Sequence, residues 1–235
     1  MNNPEEINRI CVDHVSKLLL AGVQSACCRL EHEGLSERCV LMGDPMYDAF
    51  LAYGGKRSKA DVRLKTLDGE TVSVPEKYLY MTCHREENTG NDNALTEILA
   101  TMEEVSDGAA VIYPVHPRNR ESARRLRDKF DFKSIIFVEP VGYFESLCLT
   151  RNAEKIVTGS DGLQREAFFA GKKCVTVFDY VIHPETMTGR RNEIVRPNRR
   201  DIVAKLNTPQ QVDTAYLPYG DGHSGRRIVA AMEKG

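Results

Sequence analysis

Short apolar runs alternate with amphipathic stretches along most of this chain. From residue 78 onward, runs rich in β-branched and aliphatic residues are separated by helically spaced segments of about ten residues. This alternation predicts an α/β fold, a Rossmann-like parallel sheet with helices on both faces. The predicted strands are Tyr78–Thr82, Ala109–Val115, Ile135–Val138, Lys155–Thr158 and Cys174–Val177, and the helices are Asn93–Val105, Glu121–Phe130, Tyr143–Arg151 and Leu163–Phe169.

The first fifty residues repeat the pattern in a shorter form. Apolar side chains at positions 7, 10, 11 and 15 follow Pro4, and this spacing predicts a helix over residues 5–17. Strands at Leu18–Ala21 and Cys39–Met42, with a helix at Gln24–His32 between them, predict a β-α-β unit. The start of the chain is therefore expected to form α/β structure of its own.

A turn-rich region separates the two patterns. It contains the run Gly54-Gly55-Lys56-Arg57-Ser58, and a hairpin is expected over Thr66–Val74 because Asp68-Gly69 favours a tight turn. A last helix is predicted at Gly225–Met232. We therefore divide the chain into residues 1–50, residues 51–217 with the main sheet, and residues 218–235 with a returning helix.

Composition and charge narrow the class of protein. The chain has 235 residues, of which 41% are hydrophobic, and a net charge of -2 at pH 7. It can therefore bury a core, and it lacks the basic excess that binds nucleic acid. No apolar run reaches the roughly 20 residues of a membrane span, and the acidic N-terminus is unlike a secretory leader. We expect a globular cytoplasmic protein with no nucleic-acid or membrane partner.

The cysteines indicate a reducing compartment. The seven of them form an odd set without a C-x-x-C pair, a pattern typical of reduced and mostly buried thiols. A disulfide framework or a structural metal site is therefore not expected. The positions are Cys11, Cys27, Cys28, Cys39, Cys83, Cys148 and Cys174.

The segment 156–167 has the form of an anion site. An apolar strand runs through the small residues Thr158-Gly159-Ser160-Asp161-Gly162 directly into a helical pattern. Backbone N–H groups and the Ser160 hydroxyl can face a phosphate at the positive end of that helix, while Gly162 permits a close approach. Glu166 lies one turn further, within reach of a sugar hydroxyl. An ordinary strand-to-helix connection is the alternative interpretation.

Other charged residues follow strands at the same predicted edge, where ligands of parallel sheets bind. His84-Arg85-Glu86-Glu87-Asn88 combines a proton-transfer group with a forked donor for phosphate, although a charged surface loop has the same composition. His116 lies between two prolines that fix its backbone, and a structural histidine is the alternative. The groups expected at this edge are His84, His116, Glu139–Gly142, Ser160 and Asp179.

Eight motifs in order resemble the non-hydrolysing UDP-N-acetylglucosamine 2-epimerase family, whose fold is of the glycosyltransferase-B type. They extend over nearly the whole chain. The fold implied is the C-terminal domain of that type plus a partial N-terminal domain in residues 1–50. The motifs are Pro4–Arg9, Gly43–Ala49, His84–Asn88, Tyr113–Pro117, Glu139-Pro140, Thr158–Ala167, Pro184-Glu185 and Pro218–Gly222.

The resemblance implies a reaction and roles for individual residues. UDP is eliminated from UDP-GlcNAc to give 2-acetamidoglucal, and it adds back after C2 is reprotonated on the other face, without a cofactor. Glu5 would be a catalytic carboxylate, although acids in a first helical turn also suit the helix dipole. His84 would act beside the diphosphate, and His116 is similar to the histidine of a second, allosteric site. The implied substrate contacts are Arg9, Arg85, Pro140, Tyr143, Ser160, Gly162 and Glu166.

The chain departs from the family pattern in three places. Family members read T-D-S-G-G where this chain reads T-G-S-D-G at 158–162, and their R-D-x-T-E-x-P-E appears as F-D-Y-V-I-H-P-E at 178–185. About a hundred family residues before P-E-E-x-N-R, with carboxylates in G-D-T and H-V-E-A-G-L-R motifs, have no counterpart. We therefore expect a changed affinity or choice of UDP-sugar.

Three functions agree with these observations. The first is a truncated 2-epimerase for UDP-GlcNAc or a related UDP-HexNAc, and a natural short form and a fragment both fit it. The second is a module that binds UDP-sugar without catalysis. The third is a glycosyltransferase of the same fold. The partner expected is a second copy in a homodimer, or a polypeptide that supplies the N-terminal half.

Overall fold

The structure, a computed structural model, describes residues 4–84 and 92–234, without the side chains of residues 4, 5 and 92. It divides into two compact units. The larger is Tyr53–Asp213, and the smaller combines Met1–Ala52 with Thr214–Gly235. No helix in the described ranges is both long enough and apolar enough to cross a bilayer.

In the smaller unit, two short parallel strands pair between helices. Leu19 lies opposite Cys39 and Ala21 opposite Leu41. The elements are α1 (Pro4–Val15), β1 (Leu19–Ala21), α2 (Gln24–His32), β2 (Cys39–Leu41), α3 (Pro45–Tyr53) and the C-terminal helix Ser224–Lys234, with a 3-10 turn at Ser36–Arg38.

Carboxylates accept hydrogen bonds from groups at the starts of α3 and of the C-terminal helix. Asp44 precedes α3, and its Oδ1 accepts a hydrogen bond from the Met46 N–H at 2.8 Å. Asp48 Oδ2 accepts from the Ser224 hydroxyl at 2.6 Å and from the Gly225 N–H at 2.9 Å, which satisfies donors at the start of the C-terminal helix. Helix α3 was not predicted from the sequence, because the turn-forming residues at its start hid the helical pattern.

The larger unit is built on a six-stranded sheet in the order β10-β9-β8-β5-β6-β7, with every neighbouring pair parallel. The predicted α/β class and Rossmann-like parallel sheet are therefore confirmed. Its elements are β3 (Arg63–Lys65), β4 (Thr71–Ser73), β5 (Tyr78–Thr82), α4 (Asp92–Val105), β6 (Ala110–Pro114), α5 (Arg120–Phe130), β7 (Ile135–Val138), α6 (Tyr143–Asn152), β8 (Lys155–Thr158), α7 (Asp161–Phe169), β9 (Lys173–Val177), β10 (Asn192–Val195) and α8 (Arg199–Asn207), with 3-10 turns at Lys59–Asp61, Pro117–Asn119 and Pro184–Arg190.

The side chains of β5 show why the sheet is covered on both faces. Successive residues of a strand point to opposite faces. Leu79 and Met81 lie in one apolar cluster, whereas Tyr78 and Tyr80 lie in the other. The Tyr78 hydroxyl is buried and donates to the Leu149 carbonyl at 2.8 Å, so its polar group is satisfied inside the core.

Two elements of the larger unit were not predicted, β10 and α8. The strand β10 carries polar residues that are buried and paired. Thr176 Oγ1 donates to Asn192 Oδ1 at 2.7 Å, and Lys173 Nζ lies 2.6 Å from Glu193 Oε2. Because these polar groups satisfy one another, this edge strand is buried without an apolar run, and periodicity could not reveal it.

The hairpin also differs in register from the sequence prediction. Arg63 pairs with Ser73 and Lys65 with Thr71, so the first strand begins three residues before the expected Thr66. The turn does contain Asp68-Gly69, and Gly69 has a φ of +89°, a conformation that favours glycine.

The exposed faces of β1 and β2 lead to a prediction about local stability. Leu20, Val40 and Leu41 are exposed large apolar side chains, whereas β5, β6 and β8 lie inside a covered six-stranded sheet. Local stability follows buried contacts, so amides of Leu19–Ala21 and Cys39–Leu41 should exchange much faster than those of Tyr78–Thr82. Hydrogen exchange with mass spectrometry measures this difference. Equal protection in the two sheets would contradict it.

Candidate functional site

The order of strands places a crevice in the middle of the larger unit's sheet. Strands β6 and β7 lie on one side of β5, and β8, β9 and β10 lie on the other. The chain therefore reverses its direction of sheet building between β5 and β8. Ligands of open parallel sheets bind outside the carboxyl ends of the strands at such a reversal. We call this place the switch edge, formed by residues 82–84 and 158–162.

Hydroxyl and backbone groups join the two strand ends at the switch edge. The Thr82 and Thr158 hydroxyl oxygens lie 2.6 Å apart, and the Gly159 N–H donates to the Thr82 carbonyl at 3.0 Å. The Ser160 N–H donates to Thr158 Oγ1 at 2.9 Å. These contacts hold the start of the 158–162 turn against β5.

Ser160 is the N-cap of α7. Its Oγ accepts from the Leu163 N–H at 3.3 Å, and its carbonyl accepts from the Gln164 N–H at 3.0 Å. The helix therefore begins at Asp161, two residues earlier than predicted. Because the first N–H groups of a helix have no intrahelical acceptor, those of Asp161 and Gly162 are available to an anion. The Ser160 hydroxyl keeps a proton to donate, and the Asp161 side chain is exposed.

Glu166 lies one turn further along α7 and is 5% exposed. Burial raises the pKa of its carboxyl to about 7, against the opposing effects of Arg165 and of a hydrogen bond from Tyr143. Burial and the same carboxyl raise the pKa of Tyr143. Burial also raises the pKa of Tyr80 to about 12, with a further contribution from Glu166. Glu166 is therefore a carboxyl in an aromatic setting that titrates near neutral pH.

Two histidines come together beside β5 and β6. The rings of His84 and His116 have centroids 5.6 Å apart and planes inclined by 30°. His116 Nδ1 accepts from the Arg118 N–H at 3.2 Å, so neutral His116 carries its proton on Nε2. The resemblance assigns these histidines to two different sites, and the structure brings them into one cluster.

Buried groups fix the backbone that presents His84. The Cys83 carbonyl accepts from Asn119 Nδ2 at 2.5 Å and from the Tyr113 hydroxyl at 3.4 Å. Both donors are buried. Asn119 and Thr82 were not expected at this site, and no contact was expected for the Thr158 hydroxyl, because only the three-dimensional structure shows what these polar groups contact.

The remaining predicted contacts lie near the ends of β7 and β9. Pro140 and Tyr143 are exposed around the start of α6, and Asp179 is exposed after β9. Glu139 lies at the end of β7, where its N–H donates to the Lys65 carbonyl at 2.7 Å and its carboxylate pairs with Arg120. The structure thus places all five predicted groups after carboxyl ends of parallel strands.

Arg9 lies on α1 in the smaller unit, where its guanidinium donates to Glu6 at 3.1 Å and to Glu33 at 3.0 Å. Hydrogen bonds with these acids raise its pKa. The Glu5 side chain and the whole of Arg85 lie outside the described residues. Among those that are described, no group of three or more His, Cys, Asp or Glu is arranged to hold a metal ion.

Comparison with known proteins agrees with this geometry. A family described as UDP-N-acetylglucosamine 2-epimerase matches residues 1–233. A UDP-N-acetylglucosamine 2-epimerase homolog of Methanococcus maripaludis is 33% identical over 233 residues, which are 97% of this chain and 64% of that protein. A UDP-2,3-diacetamido-2,3-dideoxy-D-glucuronate 2-epimerase of Pseudomonas aeruginosa is 34% identical over 240 residues, 100% of this chain and 64% of that protein.

A solved structure is also similar. The crystal structure of Methanocaldococcus jannaschii UDP-GlcNAc 2-epimerase in complex with UDP-GlcNAc and UDP superposes with a TM-score of 0.82 at 32% identity. The match covers 100% of this chain and 66% of that one. The chain thus spans a little under two thirds of the length of these relatives.

The buried Glu166 carboxyl generates a stability prediction. Its folded pKa of about 7 lies above the ordinary value of 4.5. Folding therefore favours the protonated form, so stability is highest below pH 4.5, falls as the pH rises towards 7 and stays low above it. At about 1.4 kcal/mol per pH unit, the loss is roughly 3 kcal/mol. Glu166→Gln should therefore stabilise the chain at pH 8 by about 2–3 kcal/mol and have little effect at pH 4.5.

Urea unfolding of both proteins at the two pH values measures this effect. Glu193→Gln is the matched control of opposite sign. Burial acts against its carboxylate, but Lys173 and Lys205 together lower its pKa, so this variant should be destabilised at pH 8. A Glu166→Gln variant no more stable than the parent at pH 8 would show that the carboxyl is not penalised by burial.

Proposed function

The chain belongs to the UDP-N-acetylglucosamine 2-epimerase family, and on that premise we propose that its larger unit binds the UDP part of a UDP-HexNAc at the switch edge. We further propose that the protein to which these residues belong catalyses 2-epimerisation by elimination and re-addition of UDP. The observation that carries the proposal is the meeting of an N-capped helix start, a buried carboxyl and a histidine pair around one sheet edge.

The start of α7 supports a diphosphate site. The N–H groups of Asp161 and Gly162 and the hydroxyl of Ser160 offer three donors at the positive end of a nine-residue helix. The contacts of Ser160 with Thr158 and Leu163 fix the turn before any ligand arrives. Little ordering is then needed on binding, which favours affinity.

Glu166 and the start of α6 support a nucleoside site next to it. A carboxylate accepts hydrogen bonds from a vicinal diol, and Glu166 is one turn from the proposed phosphate position. Tyr143 contacts the same carboxyl from the start of α6. The backbone from Pro140 to Tyr143 follows β7 and supplies amide and carbonyl groups that suit a uracil edge.

The histidine pair supports the departure and return of the diphosphate. A cationic or proton-donating group beside a leaving phosphate stabilises the charge that develops on it. We assign that role to His84, and we assign to His116 a contact with the same or a second UDP-sugar. The family motifs alone support three further roles. We assign to Glu5 the catalytic carboxylate near C2, and to Arg9 and Arg85 contacts with the substrate.

The choice of sugar lies between two classes. The Methanocaldococcus jannaschii structure contains UDP-GlcNAc and UDP, whereas the Pseudomonas relative is an epimerase of UDP-2,3-diacetamido-2,3-dideoxy-D-glucuronate. This chain has Phe178 and Tyr180 in the 178–185 stretch, and their rings stack with centroids 5.9 Å apart. Phe178 in place of the family arginine favours a UDP-HexNAc other than UDP-GlcNAc, and we propose that class as the alternative substrate.

A second function is a binding module that holds UDP-sugar without catalysis. The observation in its favour is that Ser160, Gly162 and Glu166, the groups proposed for UDP, all belong to the larger unit, which is compact by itself. In that case a second polypeptide with an N-terminal half, or a second copy of the chain, would supply further groups for catalysis.

Substitutions at the switch edge test UDP binding. Ser160→Ala and Glu166→Ala should each weaken binding by roughly 1–2 kcal/mol, the scale of a lost hydrogen bond to a charged or buried group. Isothermal titration calorimetry with UDP measures the change. Glu121→Ala is the matched control, because Glu121 lies in the first turn of α5 in the same unit and is exposed. Unchanged affinity in both test variants would place the site elsewhere.

The pKa of Glu166 predicts a pH dependence of binding. Because ribose hydroxyls donate to the ionised carboxyl, affinity should rise between pH 6 and pH 8, by up to about tenfold for a group with a pKa of about 7. UDP-GlcNAc is the suitable probe, since its diphosphate diester does not titrate in this range. The rise should be absent in Glu166→Gln. An identical pH profile in that variant would exclude a ribose contact at Glu166.

Exchange at C2 separates the two functions. We expect the purified chain to bind UDP-GlcNAc but to incorporate no measurable deuterium at C2 in heavy water, because a coupled acid-base set fails when members are missing. Mass spectrometry of the recovered sugar nucleotide detects the exchange, with a full-length family member as positive control. Steady incorporation by this chain alone would show that its own residues suffice for proton transfer.

A further inference from the structure

Two cysteines of the smaller unit face each other. Cys27 lies within α2, and Cys39 is the first residue of β2. The Cys39 thiol donates to the Cys27 sulfur across an Sγ–Sγ distance of 3.3 Å. This distance is little more than an ångström longer than a disulfide bond of about 2.05 Å, so a small shift of two side chains would close it.

Packing holds the two elements in this arrangement. Leu19, Leu30 and Leu35 form a buried apolar cluster, and Cys39 packs against it. The Leu35 N–H donates to the Leu30 carbonyl at 2.8 Å, which closes the end of α2, and Cys39 pairs with Leu19 in the sheet. The two sulfurs therefore meet because helix and strand are fixed independently of them.

We propose that Cys27 and Cys39 form an oxidisable dithiol that closes to an intramolecular disulfide in the presence of a peroxide. The bond would join α2 to β2 and enclose the segment 28–38. Both side chains are half-buried, so a small oxidant can reach a sulfur while a protein thiol cannot easily compete for it. The expectation that all seven thiols stay reduced then holds only without an oxidant.

The order of the two steps follows from the surroundings of the sulfurs. Burial and the neighbouring Cys27 raise the pKa of Cys39 to about 11, so Cys39 remains a thiol while Cys27 reacts. The Cys27 thiol first releases its proton to solvent, and the thiolate attacks one peroxide oxygen. The O–O bond breaks, Cys27 becomes a sulfenic acid, and the hydroxide that leaves takes up a proton from solvent and becomes the first water. Cys39 sulfur then attacks the Cys27 sulfur, the S–O bond breaks, and the Cys39 proton leaves with the hydroxide as a second water. The sulfurs lose two electrons and the peroxide gains them.

The neighbouring cysteines provide the contrast. Cys28 follows Cys27 directly but points about 100° away around the helix, as the α-helical repeat requires. It is exposed, and its sulfur lies 3.9 Å from Gln24 Nε2. Cys11 is also exposed. Selective linkage of Cys27 rather than Cys28 is therefore the signature that the folded geometry, and not mere exposure, determines the product.

The experiment maps the linkage in the folded chain. The reduced protein is treated with a small excess of hydrogen peroxide, free thiols are blocked with N-ethylmaleimide, and the protein is digested with trypsin without reduction. Cys27 and Cys28 share the tryptic peptide 18–29, and Cys39 lies in the peptide 39–56. Fragmentation spectra of the linked pair show which cysteine is joined. The same treatment in urea provides the unfolded reference.

The expected product is peptide 18–29 joined to 39–56 through Cys27, with one N-ethylmaleimide on Cys28. Its mass is two hydrogens below the sum of the two peptides plus that one label. The product should persist in Cys28→Ser, disappear in Cys27→Ser and Cys39→Ser, and lose its preference for Cys27 in urea. Linkage through Cys28, linkage between two chains, or sulfinic acid at Cys27 without a linked product would each overturn the proposal. The wild-type spectra decide this even if a serine variant fails to fold.

Discussion

The pairing of β5 with β8 is the contact on which the rest of the larger unit depends. Thr82 of β5 pairs with Thr158 of β8, 76 residues further along the chain. The two strands that lie between them in sequence, β6 and β7, extend the sheet from β5 in one direction only. When the chain returns to β5, it places the start of the 158–162 turn beside Thr82, at the end of that strand. A crevice at this point follows from the topology alone, and side chains then determine what it holds.

Most polar groups at the switch edge are buried together with hydrogen-bond partners, which limits the free-energy cost of their burial. Thr82 and Thr158 satisfy each other, Ser160 caps its own helix, and the Cys83 carbonyl is held by two buried donors. The exception is Glu166, whose buried carboxyl is held at a cost and titrates near neutral pH. Strongly perturbed carboxyls cluster at functional sites because binding can compensate the cost of their burial. The raised pKa of Glu166 and the family membership together support a UDP site at the switch edge.

Much of the fold could be predicted from the sequence because most strands of the sheet are apolar runs. Tyr78–Thr82, Ile135–Val138 and Lys155–Thr158 were predicted with the bounds that the structure shows. The order of the strands could not be predicted, since periodicity does not say which edge of β5 the returning chain joins. The strand Asn192–Val195 was not predicted, because its buried polar residues pair with Lys173 and Thr176 and the strand therefore lacks a continuous apolar run.

The candidate site was predictable only in part. Ser160 and His84 could be located because they follow apolar strands, and motif order supplied roles for Glu5 and Arg9. The contact of His84 with His116, the Tyr143 bond to Glu166 and the pairing of Cys27 with Cys39 join residues distant in sequence, so no local pattern reveals them.

The most direct test of the proposed UDP site is a titration of the ¹⁵N-labelled chain with UDP, followed by amide NMR spectra. We expect the largest chemical-shift changes at Asp161, Gly162 and Leu163, with smaller ones near Thr82. Changes confined to residues far from the switch edge would contradict a UDP site there.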